Sequence, residues 1–104
     1  MKVILSSAAA RELVAESIKY ESKASNLGSM FIDEFESATQ RLTQFPESGH
    51  DFGPRFRRVL MHRFPFSVVY SASDDIIRIV AIMHQRRGPR FIVKRLDLES
   101  SDQD

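Results

Sequence analysis

Cysteine and tryptophan are absent from this sequence. Without cysteine there can be no disulfide and no thiolate metal site. The three histidines, His50, His62 and His84, are too scattered for a zinc motif, and nothing calls for an organic cofactor. Glycine and proline are sparse, four of each, and they fall at breaks between apolar segments rather than in low-complexity runs. Long apolar runs are missing as well. The opening Met1-Lys2-Val3-Ile4-Leu5 stretch is too short for a signal peptide, and no later segment approaches the length of a membrane span. The expected compartment is the cytoplasm, with no membrane partner.

What is present suits a single small domain. The chain has 104 residues, of which 42% are hydrophobic and 28% charged, a globular rather than a disordered composition. A chain of this size buries roughly 65% of its unfolded surface, enough for one core. The net charge is only +1, but it is unevenly placed. Between Arg55 and Arg95 stand nine arginines and Lys94, against only Asp74 and Asp75. The other acids lie in the first half and in the tail from Asp97 to Asp104. A basic half on a nearly neutral protein points to a local anionic partner, the alternative being a solvated arginine surface.

Apolar periodicity gives the element order. Residues 2–6 read as a short β-branched strand. Ser6 or Ser7 can cap a helix in which Ala10, Leu13, Val14, Ser17 and Ile18 share a face, while Arg11, Glu12, Glu16 and Lys19 point away. Asn26-Leu27-Gly28 breaks it, Gly28 being free to adopt positive φ. Phe31, Phe35, Ala38, Leu42 and Phe45 then form the apolar stripe of a second helix, ended by Pro46, with Asp33, Glu34 and Glu36 on its solvated side. The two helices make an antiparallel hairpin. Residues 46–55 read as a loop, followed by strands at 56–64, 66–72 and 76–84 with a tight turn at Ser73-Asp74-Asp75. The last of these is apolar on both faces apart from Arg78, so it belongs inside a sheet covered on both sides. Gly88-Pro89 ends it. Residues 89–97 suit a short helix or strand. The reading is an α+β domain over residues 1–96: an N-terminal strand, a two-helix hairpin and a three-stranded antiparallel meander, with a loose acidic tail at 97–104.

Three stretches resemble the ParE/RelE toxin superfamily. Arg57-Arg58 and the strand leading into Arg63-Phe64-Pro65-Phe66, then Ser67-Val68-Val69-Tyr70, look like its paired arginines followed by an Arg-Phe-Pro-aromatic strand ending in tyrosine. Val80-Ala81-Ile82-Met83-His84-Gln85-Arg86-Arg87-Gly88-Pro89 is similar to the ParE-like ending, an apolar strand, His-x-x-Arg and a proline. Phe45-Pro46 with Gly49 resembles the family's Pro-x-x-Gly hinge. The resemblance implies the toxin of a type II toxin–antitoxin pair, held in a hetero-oligomer by a cognate antitoxin. It implies either inhibition of DNA gyrase, as in ParE-like toxins, or mRNA cleavage on the ribosome, as in RelE-like ones. A degenerate paralogue that binds antitoxin and poisons nothing is a third reading.

RNA cleavage by 2′-hydroxyl attack needs a base, an acid and cations for the developing charge. Arg58, Arg63, Arg78, Arg86, Arg87 and Arg90 offer cations. The proton shuttles are scarcer. RelE-like nucleases, which this chain resembles around residues 67–70, usually carry arginine where Ser67 stands, and a tyrosine near the C-terminus where this chain has Phe91. Tyr70 reads as a half-buried strand residue. His84 and Arg87 remain the catalytic candidates of the nuclease reading. The other reading of His84 is that it closes its strand and fixes the turn into Gln85-Arg86 by a backbone hydrogen bond. The leading expectation is a non-catalytic, gyrase-binding toxin that meets its target through Arg58, Arg63, His84, Arg86, Arg87 and Arg90.

Overall fold

A computed structural model of the chain describes residues 1–102. Its elements are β1 (Lys2–Leu5), α1 (Ser7–Lys23), α2 (Leu27–Gln44), β2 (His50–Asp51), β3 (Arg57–Leu60), β4 (Phe66–Ser73), β5 (Ile76–His84) and α3 (Pro89–Asp102). The α+β architecture agrees with the reading from sequence. The five strands form one sheet in the order β1-β5-β4-β3-β2, with β1 parallel to β5 and the remaining neighbours antiparallel. The expected meander is thus the middle of a wider sheet. A two-residue strand, β2, lies inside the loop expected at 46–55, and the strand expected over 56–64 is shorter, because Met61 to Pro65 form the connection to β4.

The doubly apolar character of β5 has a local cause. Val69 pairs with Ala81 and Tyr70 with Ile79, so Val80 is left without a partner and forms a bulge. The extra residue shifts the alternation by one. Ile77, Ile79 and Ile82 face the helical hairpin, while Val80, Ala81 and Met83 face the opposite side. Phe31, Phe35, Leu42 and Ile79 are buried, while Val80, on the bulge, is only half-buried.

Ser6 caps α1, its Oγ accepting from the Ala9 N–H at 3.1 Å. The hairpin turn differs from expectation: the positive φ (71°) falls on Asn26, and Gly28 lies inside α2. What Gly28 supplies is close approach, since a Cβ there would stand 2.5 Å from the Ser17 carbonyl oxygen of α1. Five outward and inward assignments also change. Val14 and Ile18 are 55% and 63% exposed, and Phe45 is 63% exposed beyond the last turn of α2. Glu12 is half-buried, and Glu34 reaches under the β3–β4 connection, where its Oε1 accepts from the N–H groups of His62 and Arg63.

Two clusters cover the sheet. Beneath the hairpin, Tyr20, Phe31, Phe64 and Phe66 pack at ring-centroid distances of 4.7–6.3 Å, mostly edge to face. The Arg-Phe-Pro-aromatic stretch therefore delivers Phe64 and Phe66 to the main core. On the other side Ile92 of α3 and Phe52 cover Val69, Ala81 and Met83. Helix α3 continues past the segment read as 89–97. The side chains of the acidic tail expected from residue 97, and residues 103–104 altogether, lie outside the described residues.

Candidate functional site

The end of β5 is fixed before any arginine is placed. The Gln85 N–H donates to the Pro65 carbonyl at 2.9 Å, and its side-chain amide donates to the carbonyls of Met61 and Phe66. His84 Nδ1 accepts from the Arg86 N–H at 3.1 Å, the turn-fixing bond expected of it, and the Arg87 N–H closes on the His84 carbonyl. An Nδ1 that accepts this bond cannot take a proton without losing it. Helix α3 then starts with Pro89 in its first turn, a position that suits a residue without an N–H.

On this base stand Arg86, Arg87 and Arg90, all exposed. Arg87 lies against the Phe91 ring, 4.5 Å from its centroid. Arg58 joins them from β3: its guanidinium is 3.4 Å from the Gln85 carbonyl oxygen and 4.9 Å from the centre of Phe52. Arg63 does not join. It lies in the β3–β4 connection, facing α2 with Asp33, Glu34 and Arg41. His62 is in the same connection, and His50, in β2, pairs with Arg58 in register.

The residues weighed as proton shuttles are committed elsewhere. Tyr70 is fully buried rather than half-buried. Its hydroxyl donates to the Pro46 carbonyl and accepts from the Gly49 N–H, both at 2.9 Å. A Cβ on Gly49 would lie 2.6 Å from that oxygen, so the Pro-x-x-Gly hinge and the strand tyrosine form one structural unit. Ser67 is fully buried on the α3 side, opposite Met83, and its hydroxyl has no hydrogen-bond partner. Phe91 is half-buried, with Arg87 and Arg95 against its ring. The Tyr20 phenol has its pKa pushed above 10.0, first by burial and then by nearby Glu16.

One polar cluster had no signal in the sequence. Arg95 forms an ion pair with Glu12, and its guanidinium donates to the Val80 carbonyl at 2.9 Å. Glu12 Oε1 accepts from the Ile82 N–H at 3.0 Å. The pair thus satisfies backbone groups beside the β5 bulge and ties α3 to α1. Its members are 83 residues apart, beyond the reach of any spacing rule. Phe52 carried a weak signal, an aromatic residue in an otherwise polar loop. A cavity of about 280 Å³ between α1, the end of β5 and α3 brings His84 and Arg87 together, but Glu12 and Glu16 share its wall. Among the described residues no group of three or more metal-ligating side chains occurs.

The family model described as the ParE toxin of type II toxin–antitoxin system, parDE, matches residues 3–89. The chain belongs to the ParE toxin family. The match takes in the sheet apart from Lys2, and the turn at His84–Gly88, and it ends where α3 begins. Among solved structures, a chain from the chromosomal ParDE TA system from P. aeruginosa has a TM-score of 0.70 at 20% identity, covering 81% of this chain and 95% of that one. At that identity the likeness carries the ParE fold alone. No curated protein matches the sequence.

Proposed function

We propose that this ParE-family toxin acts by binding a protein target, DNA gyrase, and is silenced by a cognate antitoxin. The observation that carries the non-catalytic part is the fate of the proton-shuttle positions. Tyr70 is committed to the hinge, Ser67 is fully buried, and Phe91 has no hydroxyl. A nuclease would be left with His84, whose Nδ1 holds the turn. The one observation favouring the nuclease reading is the cavity shared by His84 and Arg87, whose wall also holds Glu12 and Glu16. For the antitoxin, the outer side of the helical hairpin offers exposed Val14, Ile18 and Met30 and a groove of about 420 Å³ lined by Ile18, Gly28 and Ile32. This outer surface of the hairpin suits an amphipathic segment.

A supercoiling assay with rising concentrations of folded, antitoxin-free toxin tests the target. Dose-dependent loss of supercoiling supports gyrase. Intact supercoiling together with codon-phased mRNA cuts after expression would instead establish the nuclease reading. Antitoxin binding should slow amide exchange in α1 and α2, and unchanged exchange there would place that interface elsewhere.

A further inference from the structure

The arginines at the β5–α3 turn share one surface although they come from three segments. Arg86 and Arg87 follow the locked Gln85, Arg90 lies in the first turn of α3, and Arg58 reaches the Gln85 carbonyl from β3. The loop before β3 closes the circle. A Cβ on Gly53 would sit 3.6 Å from the Cβ of Pro89, which brings the loop carrying Arg55 against the start of α3. None of these five guanidiniums has a carboxylate partner among the described residues; the salt bridges there are Lys19–Glu16, Arg57–Asp51 and Arg95–Glu12. Asp51 of β2, just before this loop, is already paired with Arg57. Beyond Arg87 lie Glu12 and Glu16, which are paired with Arg95 and Lys19.

We propose that this surface binds the phosphate backbone of duplex DNA. The charge alone would suit several anions, and the aromatic groups discriminate among them. Single-stranded nucleic acid is held by bases stacking on open aromatic rings. Here Phe91 has Arg87 and Arg95 against it, and Phe52 is buried beneath Arg58. An acidic peptide draws its affinity from apolar anchors in pockets beside the charges, which a ring covered by guanidinium does not provide. What is left is a set of forked donors on a firm mount, some of them held in place by their aromatic neighbours. That matches oxygen pairs repeated along a duplex backbone, read without regard to sequence. The proposal rests on the reading of this surface as the one that meets the target, and it names DNA as part of that target.

Fluorescence anisotropy of the full chain with a mixed-sequence duplex, a single-stranded RNA of equal length and a polyglutamate of equal charge tests it. Each phosphate neutralised contributes about −0.9 to the slope of log affinity against log salt, so five contacts give a slope of about −4 to −5. Arg86→Ala, Arg87→Ala and Arg90→Ala together should lower duplex affinity at low salt about tenfold or more and bring the slope to about −2. The corresponding triple lysine variant should keep most of the slope, and both variants should melt like the parent, since these side chains are exposed. Tighter binding of RNA, equal binding of polyglutamate, or a slope unchanged in the alanine variant overturns the proposal. Supercoiling is read separately. Toxin that binds duplex but leaves supercoiling intact removes gyrase and keeps the DNA site; toxin that stops supercoiling without binding duplex does the reverse.

Discussion

On the side of the sheet covered by the helical hairpin, Tyr20, Phe31, Phe64 and Phe66 pack ring against ring above Val68, Ile77 and Ile79. On the side covered by α3, Phe52 and Ile92 suffice to cover Val69, Ala81 and Met83, and arginines stand around the margin. The first side joins elements far apart in sequence into one apolar mass. The second is held by a small cluster and one ion pair, and it buries a serine hydroxyl without a partner, a defect worth about 1–3 kcal/mol. The contrast separates two duties. The hairpin side carries the stability of the fold, and the α3 side tolerates local weakness while presenting charge.

The sharpest way to break that comparison is at Phe31, which is fully buried among the aromatic rings. Phe31→Ala should cost about 3–5 kcal/mol in denaturant unfolding, a loss read as a lower midpoint with an unchanged slope. A cost under about 1 kcal/mol would show that the hairpin side is not the main core. Tyr70→Phe comes next. It leaves the buried Gly49 N–H without its partner and should cost about 1–3 kcal/mol in the same measurement, with an unchanged midpoint contradicting the role given to the hinge.

Arg95→Ala sharpens the comparison from the other side. It removes the tie between α3 and α1, so hydrogen exchange should speed up in α3 while β4 and β5 keep their protection. Equal acceleration in all three would mean that the two sides unfold as one unit. The smallest effect expected is at Tyr20. Its phenol has a raised pKa in the folded chain, so its contribution to stability is full below the unfolded value of 10.0 and is lost as pH rises through the folded value. Tyr20→Phe should therefore lose less stability than the parent between about pH 9 and about pH 11, and parallel pH profiles would contradict the shift.

The hairpin side was the more legible in the sequence. Phe31, Phe35 and Leu42 recur at helical spacing, and apolar runs bounded by turn residues marked β4 and β5. Helix α1 was misread at Val14 and Ile18 because its apolar stripe is wider than the face the sheet can cover; helix periodicity finds a stripe, not what lies against it. Glu12 and Glu34 looked solvated because a carboxylate's backbone partner across the fold leaves no mark nearby in sequence. The bulge at Val80 was hidden for a related reason: an apolar run pairs either way, and only the register with β4 reveals the extra residue. At the candidate site, the arginines and the turn-fixing histidine could be read directly. The separation of Arg63 from Arg58 could not, since five residues that include a tight connection carry the chain from one side of the sheet to the other.

Growth arrest by Arg86→Ala/Arg87→Ala and by His84→Ala, at matched soluble expression without antitoxin, tests most directly the claim that the α3 side works through charge. The double arginine variant should lose most of its toxicity while still melting and binding antitoxin like the parent, and His84→Ala should lose less. Full toxicity in the double arginine variant with none in His84→Ala would contradict the account and return the histidine to catalysis.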